Sequence, residues 1–153
     1  MKRSVLLFST LLALAGCAGS PPQCATIDAQ GIVTALRPEE QFRSMLVNAV
    51  ERTQTAAIVK NRDGASAAEA LTEAVDRAVD RHHAEWERNL VSRWGTLSGG
   101  EIEQVCIAIA KRDEPTFMRF AQRIGGSVKS LNEPLLDRAA TEVLAEIFER
   151  PRS

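Results

Sequence analysis

The chain has 153 residues, 44% hydrophobic and 25% charged, with 19 Lys and Arg against 20 Asp and Glu and a formal net charge of −1. This length suits one domain that can bury a core without a metal or a dense disulfide framework. The charge is balanced and forms no basic stripe, which argues against a nucleic-acid partner and against membrane attachment by charge alone.

Residues 1–16 read as an export signal. Lys2 and Arg3 precede an apolar stretch from Val5 to Ala15, broken only by Ser9 and Thr10. That stretch is too short to cross a bilayer, which takes about 20 apolar residues. Its end, Leu14-Ala15-Gly16-Cys17, resembles the lipobox of bacterial lipoproteins. The resemblance implies a diacylglyceryl thioether on Cys17, cleavage before it and, as a rule, acylation of the new amino group. The other reading is an ordinary secretory signal with Cys17 as a small residue near the cut. It leaves the basic start, the apolar core and the tetrapeptide as a coincidence. In lipoproteins of two-membrane bacteria an Asp after the cysteine tends to retain the protein in the inner membrane. Ala18 stands there, so the resemblance implies the outer membrane, facing the periplasm. Without residues 1–16, 17 basic residues face 20 acidic ones, and the lipid rather than charge carries the membrane contact. No cofactor is expected beyond this covalent lipid.

Residues 17–36 read as lipidated cysteine and tether. AGSPPQCAT is small, polar and proline-bearing. Ile27, Ile32, Val33 and Leu36 then suit either a short strand or a docked coil. A helical domain is expected over 37–150. Its first helix opens at Pro38 with Glu39 and Glu40 at the positive end of the dipole. Phe42, Met45, Leu46, Ala49, Thr53, Ala56 and Ala57 recur at helical spacing as far as Asn61. A second helix starts near Ser66, with Glu69 completing a capping box, and Gly95 ends it after Trp94. A third starts at Ser98, again with a capping box to Glu101, and carries Ile102, Val105, Cys106 and Ile109. A fourth follows Asp113 with Pro115 in its first turn and is weakened by Gly125-Gly126. A fifth is capped by Asn132 and holds Pro134, unless the two are one long helix kinked there. The expected fold is an all-α bundle of four or five mostly antiparallel helices after a short N-terminal tether. The layout of residues 97–149 also resembles small helical domains of unknown function in bacterial envelope proteins, which implies no activity.

If Cys17 carries lipid, Cys24 and Cys106 remain as an even pair in an oxidising compartment, which favours a disulfide between them. The alternative makes Cys106 a small apolar residue on the face of Ile102, Val105 and Ile109, and leaves Cys24 a free thiol.

Four features invite a chemical reading. LSGGE, Leu97 to Glu101, resembles the signature motif of ABC-type ATPases, but that motif needs a P-loop. The closest stretch, Gly125 to Ser130, puts Val128 where glycine must admit phosphate, so no nucleotide is expected and a Ser-capped helix start is preferred. Asp76, Asp80, His83 and Glu87 fall on one stripe of the second helix. Asp80, His83 and Glu87 are candidate metal ligands there, although a solvated charged face is the commoner meaning of such a stripe. His82 lies among apolar residues, as a hydrogen-bonded core-edge residue or a pH-sensitive group. Trp86 and Trp94 read as core before partner anchors. Two histidines and no tyrosine leave little for acid–base catalysis. The expected role is therefore a non-enzymatic, lipid-anchored interaction or structural module. Its expected partner is another envelope protein or the cell wall. The alternative role is binding of a small ligand or metal.

Overall fold

The computed structural model describes residues 23–150. The signal segment and Cys17 lie outside them. Among the described residues there are six helices and no strand: α1 Ala29–Ala35, α2 Pro38–Glu51, α3 Gln54–Asp63, α4 Ser66–Trp94, α5 Gly99–Lys111 and α6 Glu114–Glu149. The fold is an all-α bundle. No described helix is long and apolar enough to cross a membrane.

The frame is α4 packed antiparallel on α6. Ala74, Ala78, Leu135, Ala139 and Val143 are almost wholly buried, and the small alanine side chains let helices approach closely. Polar rungs flank this apolar seam. Arg150 meets Glu73, Arg77 meets Glu146, and Arg81 meets Glu142 at 3.1 Å. Arg138 meets Glu85 at 3.0 Å, and Asn89 donates to Asn132 Oδ1 at 2.9 Å. Most steps of four residues along α4 are met by a step of four back along α6.

α2 lies antiparallel to α4 and packs against both α4 and α6. Phe42 packs against Trp86 with ring centroids 5.0 Å apart, and Arg43 pairs with Asp76. Phe42, Leu46 and Val50 are fully buried at its four-residue spacing. The helix expected to continue to Asn61 stops earlier, because Thr53 serves both sides of a break. Its hydroxyl donates to the Val50 carbonyl at 2.7 Å and accepts from the Ala56 amide at 3.1 Å. Thr53 is thus an N-cap, where threonine is favoured, and not a member of the apolar stripe.

Three further expectations change. The segment given to the tether contains α1, with Ile32 and Val33 fully buried in the core. Asp28 caps it by accepting from the Gly31 amide at 2.9 Å. A seven-residue helix is not stable alone, so packing decides its form where local pattern did not. Ser66 does not cap α4. The hydroxyl lies within the first turn and donates to the Asp63 carbonyl at 2.9 Å. Asn132 caps nothing: it is a buried mid-helix residue, and α6 runs unbroken through exposed Pro134. Pro134 deletes one backbone donor, but contacts to α4 on both sides of it, at Asn132 and at Arg138, hold the helix in one piece.

At the far end of α6, Arg62 donates to the carbonyls of Ile147 and Phe148 at 3.1 and 2.9 Å. These are unpaired helix-end acceptors that a cation suits. At the other end of α4, Cys24 and Cys106 are joined by a disulfide with Cα atoms 5.6 Å apart. It secures the segment before α1 to α5.

Two stability predictions follow from this packing. An added Cβ at Gly125 or Gly126 meets nothing within 4 Å, and both sit inside α6. Gly125→Ala and Gly126→Ala should each raise the unfolding free energy by roughly 1 kcal/mol in urea titrations. The disulfide spans 82 residues, a loop whose closure is worth about 4.5 kcal/mol in the chain-entropy description. Cys24→Ser with Cys106→Ser should lower the urea-derived stability by several kcal/mol. A loss of only a few tenths would mean that α1 holds its place without the bond.

Candidate interaction surface

Two members of the charged stripe on α4 are engaged with neighbouring helices. Asp76 pairs with Arg43. Glu87 accepts from the Gln30 amide of α1 at 2.6 Å, and His83 Nδ1 lies 2.9 Å from the Val79 carbonyl. Asp80 is exposed. His83 and Glu87 do line one shallow hollow of about 400 Å³ with Thr34, Arg37, Pro38, Glu39 and Glu40. Even so, no group of three or more His, Cys, Asp or Glu side chains among the described residues is placed to hold a metal ion. Helical spacing puts carboxylates and an imidazole on one side, but α1 engages Glu87, α2 engages Asp76, and His83 turns back to a carbonyl of its own helix.

His82 is a hydrogen-bonded core-edge residue. Its Nε2 lies 2.9 Å from Glu142 Oε2, and its side chain is 12% exposed. His82 first, and Arg81 second, hold the Glu142 carboxyl below the usual carboxylate range. Trp86 and Trp94 are both core, each 3% exposed. Trp94 stacks on Phe117 with centroids 5.8 Å apart.

LSGGE is a helix start. The Ser98 amide and hydroxyl both donate to Glu101 Oε2, at 2.8 and 3.0 Å, and the capping box forms. Arg123 of α6 donates to the other carboxylate oxygen at 2.6 Å. The five residues that look like a nucleotide signature thus dock the start of α5 on α6.

What the sequence did not reveal is a groove at the end of the molecule away from the disulfide. Ala56, Ala57, Val59, Ala67, Ala68, Leu71 and Ile147 line a cavity of about 470 Å³, with Glu51 and Lys60 at its edge. A second hollow of about 230 Å³ between α2 and α4 shares Glu51, Ala68 and Leu71 with it, and adds Val47 and Val75. Ile58 stands 55% exposed on the adjoining α3. The groove exists because α3 leaves the line of α2 at Thr53. The available signal was Thr53 itself, a good N-cap residue three places before Ala56.

Comparisons with protein-family models, with curated proteins and with solved structures found no match.

The Glu101 cluster gives a pH prediction. Its carboxyl is lowered from 4.5 to about 2, chiefly by Arg123 and then by the Ser98 amide and hydroxyl. Above 4.5 the carboxylate is charged in both the folded and the unfolded chain, and the stabilisation is complete. As pH falls from 4.5 to about 2, the unfolded chain takes up the proton first and the stabilisation disappears. The melting-temperature gap between the natural protein and Glu101→Gln should be level at higher pH and close across that window. A gap that persists undiminished through it would show that the carboxylate is not held in this way.

Proposed function

We propose that this chain is a lipid-anchored protein of the bacterial envelope. On this reading Cys17 carries the lipid, and the helical domain is a non-enzymatic interaction module that docks another envelope protein. The observation that carries this reading is Leu14-Ala15-Gly16-Cys17 after a basic start and an apolar core. Lipidation at Cys17 sets the membrane, and Ala18 favours the outer one.

The groove between α2, α3 and α4 is the surface offered to the partner. Its lining is dominated by alanine, valine, leucine and isoleucine side chains. Such a lining, apolar along its wall with Glu51 and Lys60 at its edge, suits an apolar ridge of side chains flanked by charged groups. Protein is therefore preferred over cell wall as the partner. The volume, about 470 Å³, also lies in the range of small-molecule sites. That supports a second reading in which the groove holds an apolar ligand.

Crosslinking in living cells, followed by capture of the tagged protein, tests the first reading. Cys17→Ser should abolish lipidation, leaving the protein soluble or unprocessed, and Ala68→Arg should fill the groove while leaving the anchor intact. One partner, crosslinked to the lipidated protein and lost with Ala68→Arg, is the expected result. Cys17→Ser protein still processed and firmly outer-membrane bound would remove the anchor. A lipidated protein whose partners ignore Ala68→Arg would remove the groove. Melting-temperature shifts with apolar small molecules, lost in Ala68→Arg, would move the second reading to the front.

A further inference from the structure

The lipid-anchor reading, combined with the disulfide, decides which end of the domain meets the membrane. Cys24 is 2% exposed and bonded to Cys106, so it cannot move away from α5. Six residues lie between Cys17 and Cys24, so seven backbone steps give a covalent reach of at most about 25 Å. The groove at the start of α4 lies nearly the length of that helix from Gly95. For 29 residues that length is about 43 Å. The corner where α5 turns into α6 is much closer: Arg112 follows Cys106 by six residues, about 9 Å of helix.

That corner has the chemistry of a membrane-contacting surface. Leu36, Ala108, Ile109 and Phe117 wall an apolar hollow of about 300 Å³, and Arg112, Asp113 and Glu114 edge it. Lys111 and Arg112 are exposed. The Asp113 carboxylate caps α6 by accepting from the Thr116 amide at 3.2 Å. Arg112 makes no side-chain hydrogen bond or ion pair among the described residues. It also ends α5 in the left-handed region, at φ 55, where glycine is the easy residue. The hollow is edged by one long cationic side chain, Arg112, beside Asp113, whose carboxylate is taken up by the α6 cap, and Glu114. At the acyl–headgroup boundary the aliphatic stem of such an arginine lies in the apolar layer and its charged head reaches phosphate.

We propose that the α5–α6 corner rests on the phospholipid bilayer that holds the Cys17 lipid. The hollow of Leu36, Ile109 and Phe117 lies over the acyl–headgroup boundary, and Arg112 sits at the lipid phosphates. The groove between α2, α3 and α4 then points away from the membrane. This proposal rests on the lipid-anchor reading.

The test uses the full-length protein, purified with its lipid and reconstituted in vesicles of phosphatidylethanolamine and phosphatidylglycerol. A photoreactive benzophenone amino acid replaces Glu114 in one protein and Ile58 in another. Intact mass before irradiation reads the lipid on Cys17. Its absence overturns the anchor and the proposal together. With the lipid present, irradiation should give a phospholipid adduct at position 114 and none at 58. Adducts at both positions, at neither, or a protein adduct at 114 would overturn the membrane-facing corner and leave the anchor standing. Arg112→Gly suits the left-handed backbone and should keep the fold, while cutting the lipid adduct at 114 about five-fold. An unchanged yield would overturn the phosphate contact.

Discussion

The antiparallel pairing of α4 and α6 is the constraint on which the remaining elements depend. Its rungs, Glu73 to Arg150, Arg77 to Glu146, Arg81 to Glu142 and Glu85 to Arg138, are half-exposed ion pairs. Such pairs are worth about 0–1 kcal/mol each. Their effect is on register more than on stability, because a slide of one helical turn in either direction would leave one complementary pair and set like charges together at two other rungs. The cohesive term is the apolar seam between them, Ala74, Ala78, Leu135, Ala139 and Val143. At the next four-residue step α6 presents Pro134, and the rung falls to Asn132 instead. Asn132 is 3% exposed and its amide nitrogen lacks a hydrogen-bond partner. A buried polar pair that costs stability while excluding other alignments is a known way to define register.

Each further element attaches to this pair. α2 lays Phe42, Leu46 and Val50 into it, α3 turns across one end, and α1 with α5 closes the other. The ends differ in chemistry as a result. At one end α3 swings off the line of α2 and exposes an apolar groove. At the other, a disulfide ties the segment before α1 to α5, next to an apolar corner edged by Arg112, Asp113 and Glu114. The two ends lie about the length of α4 apart.

Helix existence was largely legible in the amino-acid pattern, and helix ends much less so. α4 and α5 match the spacing of Leu71, Val75, Ala78, Val79, Trp86 and Leu90 and of Ile102, Val105 and Ile109. Ser98 and Glu101 cap α5 as their spacing implies. Thr53 and Asn132 were misplaced for related reasons. Each fits a helical stripe and a cap equally well, and only a neighbouring helix settles the choice. Thr53 turns because α3 has a surface to cross. Asn132 stays helical because Asn89 faces it. α1 was hidden because seven residues carry too little periodicity to separate helix from strand. The metal-like stripe on α4 was legible as a face, but its outcome depended on Gln30 and Arg43, which approach from other helices.

By itself the sequence determined the quantities that local chemistry controls. These are the all-α class, most helix cores, the capping role of LSGGE and the lipobox-like run at Cys17. Each depends on residues within a few positions of one another. The cysteine count favoured the Cys24–Cys106 pair, which the structure bonds across 82 residues. The tertiary structure alone decided the register of α4 on α6, the groove beside α3 and the apolar corner at Arg112. Those features depend on which side chains meet across helices. Contacts of that kind are set by packing, which no stretch of a single helix encodes.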